Sequence, residues 1–252
     1  MEDYPAWLSV LGDRPVRFFT RIDSTNDEAA AWALAGAPEG AVVLAEEQTA
    51  GRGRLGRPWV AAPGSSLLMS VILRPAVPPD MLPRVTLMGA VALADVLAEI
   101  GLVPRIKWPN DVLLQGRKVA GILAEAVWHG EALRAVVLGI GLNVYRQALP
   151  KEDAVSFGAT TVEMVLGHSP DRRQLLARLL ARVDHWVDHL MDEALLESWR
   201  GYSATLGRRI AAAVGGEPLQ GVAEAIDTHG ALLLRTDDGK LHRLLVGDVT
   251  LL

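Results

Sequence analysis

Hydrophobic and polar residues alternate along the chain in patterns that predict both strands and helices. Apolar runs bounded by turn-forming residues predict strands at Val16 to Ile22, Val42 to Glu46 and Leu67 to Leu73. Apolar residues at helical spacing from Arg84 to Ile100 predict an amphipathic helix packed against a sheet. A longer helical face follows Ser169-Pro170, where a serine cap and a proline at the first position favour a helix start.

Short polar turns divide the remaining apolar segments. Ser24-Thr25-Asn26-Asp27 predicts the cap and first turn of a helix, because the serine is followed three residues later by an acid. Arg105 to Trp108, Val119 to Val127 and Ala135 to Val144 resemble consecutive antiparallel strands. Residues 147–158 mix proline, lysine and acids without a period, which predicts a surface loop.

After Leu206 the sequence changes to short segments of alternating hydrophobic and polar residues, which are separated by glycine-containing turns. These segments are Arg209 to Val214, Gln220 to Ile226, Ala231 to Arg235 and Leu241 to Val246. Their lengths predict a small β-barrel of under about 50 residues. The chain of 252 residues is long enough for one large and one small domain. We therefore expect a catalytic domain over residues 1–204 and a small β-domain over residues 205–252.

Composition narrows the possible functions. Half of the residues are hydrophobic and the mean hydropathy is +0.21, which indicates a substantial core. We find no signal peptide and no stretch of about 18 or more apolar residues, so we expect a cytoplasmic protein with no membrane partner. The formal net charge of −5 disfavours bulk binding of nucleic acid. The absence of cysteine excludes disulfides, thiolate metal sites and cysteine thioester intermediates.

The most informative segment is Gly51-Arg52-Gly53-Arg54-Leu55-Gly56-Arg57-Pro58-Trp59, which we call the arginine loop. Three arginines offer guanidinium groups suited to carboxylate or phosphate oxygens. Three glycines permit unusual backbone conformations and close approach to a ligand. Trp59 offers a flat ring to a planar base. The alternative is a solvated arginine loop or a nucleic-acid contact.

Two standard nucleotide-binding patterns do not fit this loop. Gly51-x-Gly53-x-x-Gly56 matches the letters of the Rossmann fingerprint, but prolines and a strand follow where a helix is required. No Gly-Lys-Ser/Thr follows, so a Walker loop is excluded as well. The anion site predicted here is therefore of another kind.

Two further segments place polar residues at strand ends or inside apolar strands. Lys107 to Asp111 contains a cation, an amide and a carboxylate, although Asn110 and Asp111 also suit an ordinary turn. Lys118 enters an apolar strand that contains Gly121, either as an exposed edge residue or as a functional charge near a ligand. Asn143, in the glycine-containing strand Gly139 to Val144, is costly if it is buried without partners.

The histidines do not predict a metal site. His185 and His189 lie four residues apart on the long predicted helix, but Asp184 and Asp188 alternate with them on its polar side. A solvated face is the better interpretation, and no His-Glu-x-x-His pattern occurs. No Gly-x-Ser-x-Gly nucleophile motif occurs either.

Taken together and in this order, the motifs resemble those of the biotin protein ligases. The resemblance rests on Ser24-Thr25-Asn26, Gln48, Gly51 to Trp59, Lys107 to Asp111, Arg117 to Glu125 and Gly139 to Val144. It covers most of residues 20–145, and the small C-terminal β-domain fits it too. It implies an α+β fold with a mixed, largely antiparallel sheet and flanking helices, similar to class II aminoacyl-tRNA synthetases, plus an SH3-like β-barrel.

The resemblance implies a two-step reaction. Biotin and MgATP give biotinyl-5'-AMP and pyrophosphate, and a lysine of a biotin carrier domain then attacks the mixed anhydride. The implied catalytic residues are Lys118, Arg52 and Arg54. The implied biotin-binding residues are Ser24, Thr25, Asn26, Gln48, Arg52, Gly53, Arg54, Lys118 and Gly121. The implied ATP-binding residues are Arg54, Arg57, Trp59, Asn110 and Asn143. Asp111 either contacts magnesium or orders its own turn.

The resemblance also sets expectations about partners. ATP, Mg²⁺ and biotin act as substrates, and we expect no tightly bound prosthetic group. The implied acceptor is the biotin carboxyl carrier domain of acetyl-CoA carboxylase or of another biotin-dependent enzyme. Some relatives carry an N-terminal DNA-binding domain, but fewer than 25 residues precede Ser24. We therefore expect the monofunctional form, without DNA binding, as a monomer or a ligand-dependent homodimer.

Two other functions are open at this level. A lipoate protein ligase of the same fold would use a different acyl substrate, although the arginine loop followed by Trp59 favours biotin. A non-enzymatic sensor of biotin or nucleotide would bind without forming an adenylate. The presence of Lys118 together with the arginine loop favours an enzyme.

Overall fold

A seven-stranded mixed sheet forms the centre of the fold. The computed structural model describes residues 7–149, 158–214, 217–245 and 247–252. The strands of this sheet are β1 (Val16–Phe19), β2 (Val42–Ala45), β3 (Ser66–Leu73), β4 (Pro104–Lys107), β5 (Asp111–Leu114), β6 (Arg117–His129) and β7 (Ala132–Asn143). Their order is β1-β2-β3-β7-β6-β5-β4. β1 and β2 pair in parallel and the other pairs are antiparallel, so the sheet is mixed and largely antiparallel, as the resemblance implied.

Helices cover both faces of this sheet. They are α1 (Thr25–Leu34), α2 (Pro83–Glu99), α3 (Val162–Leu166), α4 (Arg172–Asp188) and α5 (Glu193–Tyr202). α1 packs on β2, β3, β6 and β7, whereas α2 packs on β4 to β7 and is itself covered by α4 and α5. Gly89 of α2 lies directly against the side chains of Leu138 and Ile122. Because neighbouring residues of a strand face opposite ways, Gly139 and Gly121 face the other side, towards α1.

The predicted start of α1 is confirmed. The Ser24 side chain accepts a hydrogen bond from the backbone N–H of Asp27 at 3.4 Å and so caps the helix. The first turn of α1 is buried, with Thr25 and Asn26 against the sheet. The cap therefore fixes polar side chains of α1 over the middle of β3, β6 and β7.

Several predicted boundaries were wrong. The long helix begins at Arg172 and not at Ser169-Pro170, because Asp171 is its N-cap and accepts from the N–H of Arg173 at 2.8 Å. The Ser169 hydroxyl instead donates to Glu163. The segment from 104 to 143 holds four strands and not three, because Asp111–Leu114 forms β5. Most of the predicted loop at 147–158 lies outside the described residues.

A second, five-stranded antiparallel sheet follows the helices. Its strands are β8 (Arg209–Val214), β9 (Glu217–Ile226), β10 (Leu232–Thr236), β11 (Leu241–Leu244) and β12 (Val249–Leu251), in the order β11-β10-β9-β8-β12. Trp108 joins it to the large sheet, since its backbone N–H donates to the Thr205 hydroxyl at 2.9 Å. The Trp108 indole Nε1–H also donates to the carbonyl of Gly230 at 3.1 Å. The end of β4 is thus held by the C-terminal part of the chain.

The segment Pro79–Glu99, which includes α2, is predominantly apolar. It is long and apolar enough to cross a membrane by length and composition. Its apolar residues pack in the core between the large sheet and the helices α4 and α5. This packing accounts for its composition, as in the core helix of a globular protein.

A buried ion pair fixes the end of β2. Arg172, whose side chain is 2% exposed, donates from Nη1 to Glu46 Oε2 at 2.8 Å and to the carbonyl of Ser66 at 2.9 Å. Its guanidinium also lies 5.2 Å from the Trp7 ring and 5.8 Å from the Tyr145 ring. Glu46 immediately follows β2, so this pair sets the course of the chain towards Gln48.

Candidate active site

A cavity of about 920 Å³ lies over the face of the large sheet that α1 and the arginine loop cover. All the predicted site residues line it: Ser24, Thr25, Asn26, Gln48, Arg52, Gly53, Arg54, Arg57, Trp59, Asn110, Asp111, Lys118, Gly121 and Asn143. Residues of β12 and the segment before it also contribute to the wall. Antiparallel pairing aligns Gly121 of β6 with Gly141 of β7 and with Asp111 of β5, so these segments meet on one face.

One end of the cavity carries neutral polar groups. Gln48 Oε1 accepts from the backbone N–H of Thr25 at 2.7 Å and from its hydroxyl at 3.0 Å. The buried Ser70 hydroxyl lies 2.8 Å from Thr25 Oγ1. Ser70 was not predicted as a site residue, although a serine inside the apolar strand β3 is a signal of a polar contact. With its carbonyl occupied, Gln48 has its amide Nε2 to offer a ligand.

Asn26 is held tightly by the protein. Its Oδ1 accepts from the Ser70 hydroxyl at 2.6 Å, and its Nδ2 donates to Glu125 Oε2 at 2.6 Å. The absence of a side chain at Gly139 makes room for it, because a Cβ there would lie 2.2 Å from Asn26 Oδ1. Gly139 therefore makes room for the Asn26 side chain of α1 and not for a ligand.

The arginine loop is a closed loop with a short 3-10 turn at Arg54–Gly56. The N–H of Trp59 donates to the carbonyl of Gly51 at 2.8 Å, which closes its base. A Cβ at Gly51 would lie 2.6 Å from the Trp59 carbonyl oxygen, so this position requires glycine. Gly56 adopts a left-handed conformation with φ of 70°, whereas Gly53 has an ordinary φ of −101°. Two of the three glycines, Gly51 and Gly56, are therefore needed for the shape of the loop itself.

The three arginines of this loop have different partners. Arg52 forms a bidentate ion pair with Asp27 at 2.7 and 2.8 Å and also contacts Glu125 at 3.0 Å. These partners raise the pKa of Arg52, with the Asp27 hydrogen bond as the largest cause, and Arg52 in turn lowers the pKa of Asp27. Arg57 pairs with Asp248 at the rim.

Arg54 is the arginine that turns into the cavity. It donates to the carbonyl of Gly247 at 3.2 Å, and within the described part of the chain it has no carboxylate in salt-bridge contact. Burial lowers the pKa of Arg54, against the opposing effect of Asp248 and Asp111. A partly buried cation with a carbonyl as its partner favours an incoming anion.

Lys118 provides a second cation at this end of the cavity. Its Nζ lies 2.6 Å from Asp111 Oδ1, and Lys107 Nζ lies 3.6 Å from the other oxygen of the same carboxylate. β6 runs between β5 and β7, so Lys118 does not lie on an edge strand. Asn110 lies in the turn between β4 and β5, as the alternative interpretation expected, but its Nδ2 donates to the carbonyl of Ile122 in β6 at 3.0 Å and not to its own turn.

The Trp59 ring lies flat over two glycines of the sheet. A Cβ at Gly141 would lie 2.7 Å from Trp59 Cε2, and one at Gly121 would lie 3.1 Å from Cζ3. Lys118 Nζ is 5.5 Å from the ring centroid. The indole Nε1 is buried and has no hydrogen-bond partner among the described residues. The second glycine of β7, which was not predicted as a site residue, therefore accommodates the aromatic ring.

The described residues contain no group of three or more His, Cys, Asp or Glu side chains that could hold a metal ion. His189 Nδ1 lies 2.7 Å from the carbonyl of His185 on its own helix. His185 itself is exposed to solvent, as expected for a polar helix face. Both oxygens of Asp111 are paired with lysines, so Asp111 could bind a metal only after releasing one of them.

Comparison with known proteins identifies this arrangement. Residues 18–143 match the biotin/lipoate A/B protein ligase family, and residues 205–252 match the biotin protein ligase C-terminal domain. The chain belongs to the biotin/lipoate A/B protein ligase family. The resemblance to biotin protein ligases is thereby confirmed, and with it the class of ligase enzyme.

Three relatives illustrate the similarity of this ligase. The biotin–[acetyl-CoA-carboxylase] ligase of Paracoccus denitrificans is 40% identical over 87% of this chain and 94% of its own length. The ligase of the same name from Mycobacterium tuberculosis is 37% identical over 94% of this chain and 89% of its own. The structure of the Aquifex aeolicus biotin protein ligase with biotin and ATP superposes with a TM-score of 0.79 at 27% identity, covering 94% and 98% of the two chains.

Proposed function

We propose that this ligase condenses biotin with ATP to form biotinyl-5'-AMP and then transfers biotin to a lysine of a carrier domain. The carrying observation is one cavity with two chemically different ends. Neutral hydrogen-bonding groups of α1 and Gln48 lie at one end, and Lys118 and Arg54 lie at the other. A neutral ureido ring joined by an apolar arm to a carboxylate matches this order of groups.

The neutral end would bind the biotin head. Ser24, Thr25 and Gln48 offer hydroxyl and amide groups, and the backbone near Gly53 and Gly121 offers further donors and acceptors. Asn26, predicted as a biotin ligand, acts in our proposal by holding Ser70 and Glu125 in place, since both ends of its amide are occupied.

The cationic end would hold the reacting groups. In the first step a biotin carboxylate oxygen attacks the α-phosphorus of ATP, a P–O bond forms, and pyrophosphate leaves. Lys118 and Arg54 reduce the repulsion between the two anions and stabilise the charge that develops on the phosphorus oxygens. Arg52, the third predicted catalytic residue, is bound by two carboxylates, and we place its role in shaping the pocket.

The nucleotide would lie towards the rim. Trp59 supplies an aromatic surface for adenine, with Asn110 and Asn143 beside it, and Arg57 faces the phosphates after release from Asp248. Magnesium enters as MgATP, a mode in which the ion keeps phosphate and water ligands and needs one or two protein carboxylates. Asp111 is the carboxylate nearest to Lys118 that could serve.

In the second step the amine of a carrier lysine attacks the carbonyl carbon of the adenylate. An amide bond forms, the bond to the phosphate oxygen breaks, and AMP leaves with the proton passing to solvent. The names of the relatives favour the carrier domain of acetyl-CoA carboxylase as the acceptor. We further propose a cytoplasmic enzyme that acts as a monomer or a ligand-dependent homodimer, without DNA or membrane as a partner.

We also propose an architecture in finer detail than the comparisons provide. The catalytic domain spans residues 1–204 and is similar in plan to class II aminoacyl-tRNA synthetases. Residues 205–252 form an SH3-like barrel, a proposal supported by five short antiparallel strands in one sheet.

The activity is tested by exchange of labelled pyrophosphate into ATP. We expect exchange with biotin and none with lipoate, since exchange requires reversible formation of the acyl adenylate. Exchange with lipoate alone would show that the substrate is lipoate and not biotin. Binding of biotin without exchange would contradict the enzymatic proposal and support a sensor.

A substitution at Gly141 tests the position of adenine. Gly141→Ala places a methyl group 2.7 Å from the Trp59 ring and forces the ring to move. We expect the KM for ATP in the exchange reaction to rise about tenfold, from the overpacking of one methyl group, with biotin affinity unchanged. Gly201→Ala is the matched control, because a Cβ there meets no atom within 4 Å. An unchanged KM for ATP would place the nucleotide away from Trp59.

A further inference from the structure

We infer that Glu125 is a positioning residue of the biotin pocket, which acts by clasping Arg52 between strand β6 and the first turn of helix α1. The inference rests on the proposed function and adds a residue to it. It also assigns Arg52 a different task from Arg54 and Lys118, although the sequence predicts the same task for all three.

The clasp joins three separate segments. Both carboxylate oxygens of Glu125 in β6 accept hydrogen bonds from Arg52 Nη2 at 3.0 Å. Glu125 also accepts a hydrogen bond from Asn26 Nδ2 at 2.6 Å. Asp27 of α1 accepts two hydrogen bonds from the same guanidinium, at 2.7 and 2.8 Å. Arg52 Nη1 also lies 3.4 Å from the Ser24 hydroxyl. The donors of Arg52 are thus directed at protein groups.

Formal charge separates this clasp from the cationic end. One guanidinium faces two carboxylates, so the clasp carries a formal charge of −1 and does not attract a further carboxylate. Lys118 and Lys107 share the single carboxylate of Asp111, and Arg54 meets a backbone carbonyl. An anionic ligand is therefore directed to Lys118 and Arg54.

The clasp has a clear geometric effect on the neutral end. Asn26 and Ser24 flank Thr25, the residue whose N–H and hydroxyl orient Gln48. Through Asn26 and Arg52, Glu125 fixes both neighbours of Thr25 relative to the sheet. Loss of its charge loosens the groups proposed for the biotin head while leaving Lys118 in place.

Calorimetric binding of biotin and of its neutral carboxamide, biotinamide, tests this inference. Glu125→Gln keeps an oxygen for Asn26 but removes one of the two negative charges that hold Arg52. We expect it to weaken both ligands to the same degree, about tenfold, the loss of one charge-assisted hydrogen bond. Arg52→Gln is expected to do the same, and the double variant to be no weaker than either single one, as for coupled residues.

Controls separate positioning from damage to the fold. Glu99→Gln removes a carboxylate that holds Arg178 and Arg182 at a distance from the cavity and should leave both affinities unchanged. Asp27→Asn, at the exposed side of the clasp, should weaken both ligands in parallel with an unchanged melting temperature. For Glu125→Gln, the exchange rate at saturating biotin should stay within about twofold of the unsubstituted enzyme.

Two results would overturn the inference alone. In the first, Arg52→Gln weakens biotin but not biotinamide, which would show that Arg52 grips the carboxylate. In the second, Glu125→Gln binds both ligands as the unsubstituted enzyme does. Failure of the unsubstituted enzyme to bind biotin would instead overturn the proposed function, and this inference with it.

Discussion

Replacing Lys118 by alanine is expected to lower the rate of biotin-dependent pyrophosphate exchange by about 10²- to 10³-fold, the usual effect of removing one donor that stabilises transition-state charge. Lys118 Nζ lies in the cavity beside Asp111 and 5.5 Å from the Trp59 ring. Without this cation, the biotin carboxylate and the α-phosphate meet with one less positive charge between them. The rate of exchange at saturating biotin and ATP measures the loss.

The control for this substitution is Lys240→Ala, which removes an exposed lysine paired with Asp238 in the small sheet. We expect it to leave the exchange rate unchanged. Equal rates for Lys118→Ala and the unsubstituted enzyme would remove Lys118 from the chemistry. A raised KM for biotin with an unchanged maximal rate would limit Lys118 to ground-state binding.

The largest effect on stability is expected from Glu46→Ala. Arg172 is almost fully buried, and Glu46 is its charged partner at 2.8 Å. Removal of the carboxylate takes the Glu46 charge away from a buried cation, and breaking a buried ion pair typically costs about 3–5 kcal/mol of the free energy of unfolding. Urea denaturation measures this value.

Two comparisons make the stability prediction specific. The double variant Glu46→Met with Arg172→Met should lose less free energy of unfolding than Glu46→Ala, because the buried Arg172 charge is removed together with its partner. Glu99→Ala, which removes a more exposed carboxylate, should change it by about 1 kcal/mol or less. A double variant less stable than Glu46→Ala would show that the ion pair itself stabilises the fold.

Local sequence patterns predicted much of the secondary structure correctly. The strands at Val42 and Leu67, the cap at Ser24 and the helix within Arg84 to Ile100 depend on neighbours close in sequence, and the structure contains each of them. The start of α4 was missed because two possible capping residues, Ser169 and Asp171, lie two positions apart. Asp171 is the residue that caps the helix. Strand β5 was missed because four residues carry little periodic signal.

The sequence motifs select residues that the structure places around one cavity, but they do not predict the contacts among those residues. All the predicted residues line one cavity, yet the partners of Arg52 could not be read from the loop. Glu125 lies 73 residues away along the chain, and its contact exists only after β6 has been placed under α1. Ser70 and Gly141 were missed for the same reason, since their neighbours are decided by strand register.

The contacts of the arginine loop with the end of the chain limit how freely this enzyme's parts can be recombined. Arg54 donates to Gly247, and Arg57 pairs with Asp248, just before β12. A chimera that joins the large unit to the C-terminal unit of a relative would break these contacts unless both partners were transferred together. In such a chimera the loop and the segment before β12 therefore have to be transferred together, although about 190 residues separate them along the chain.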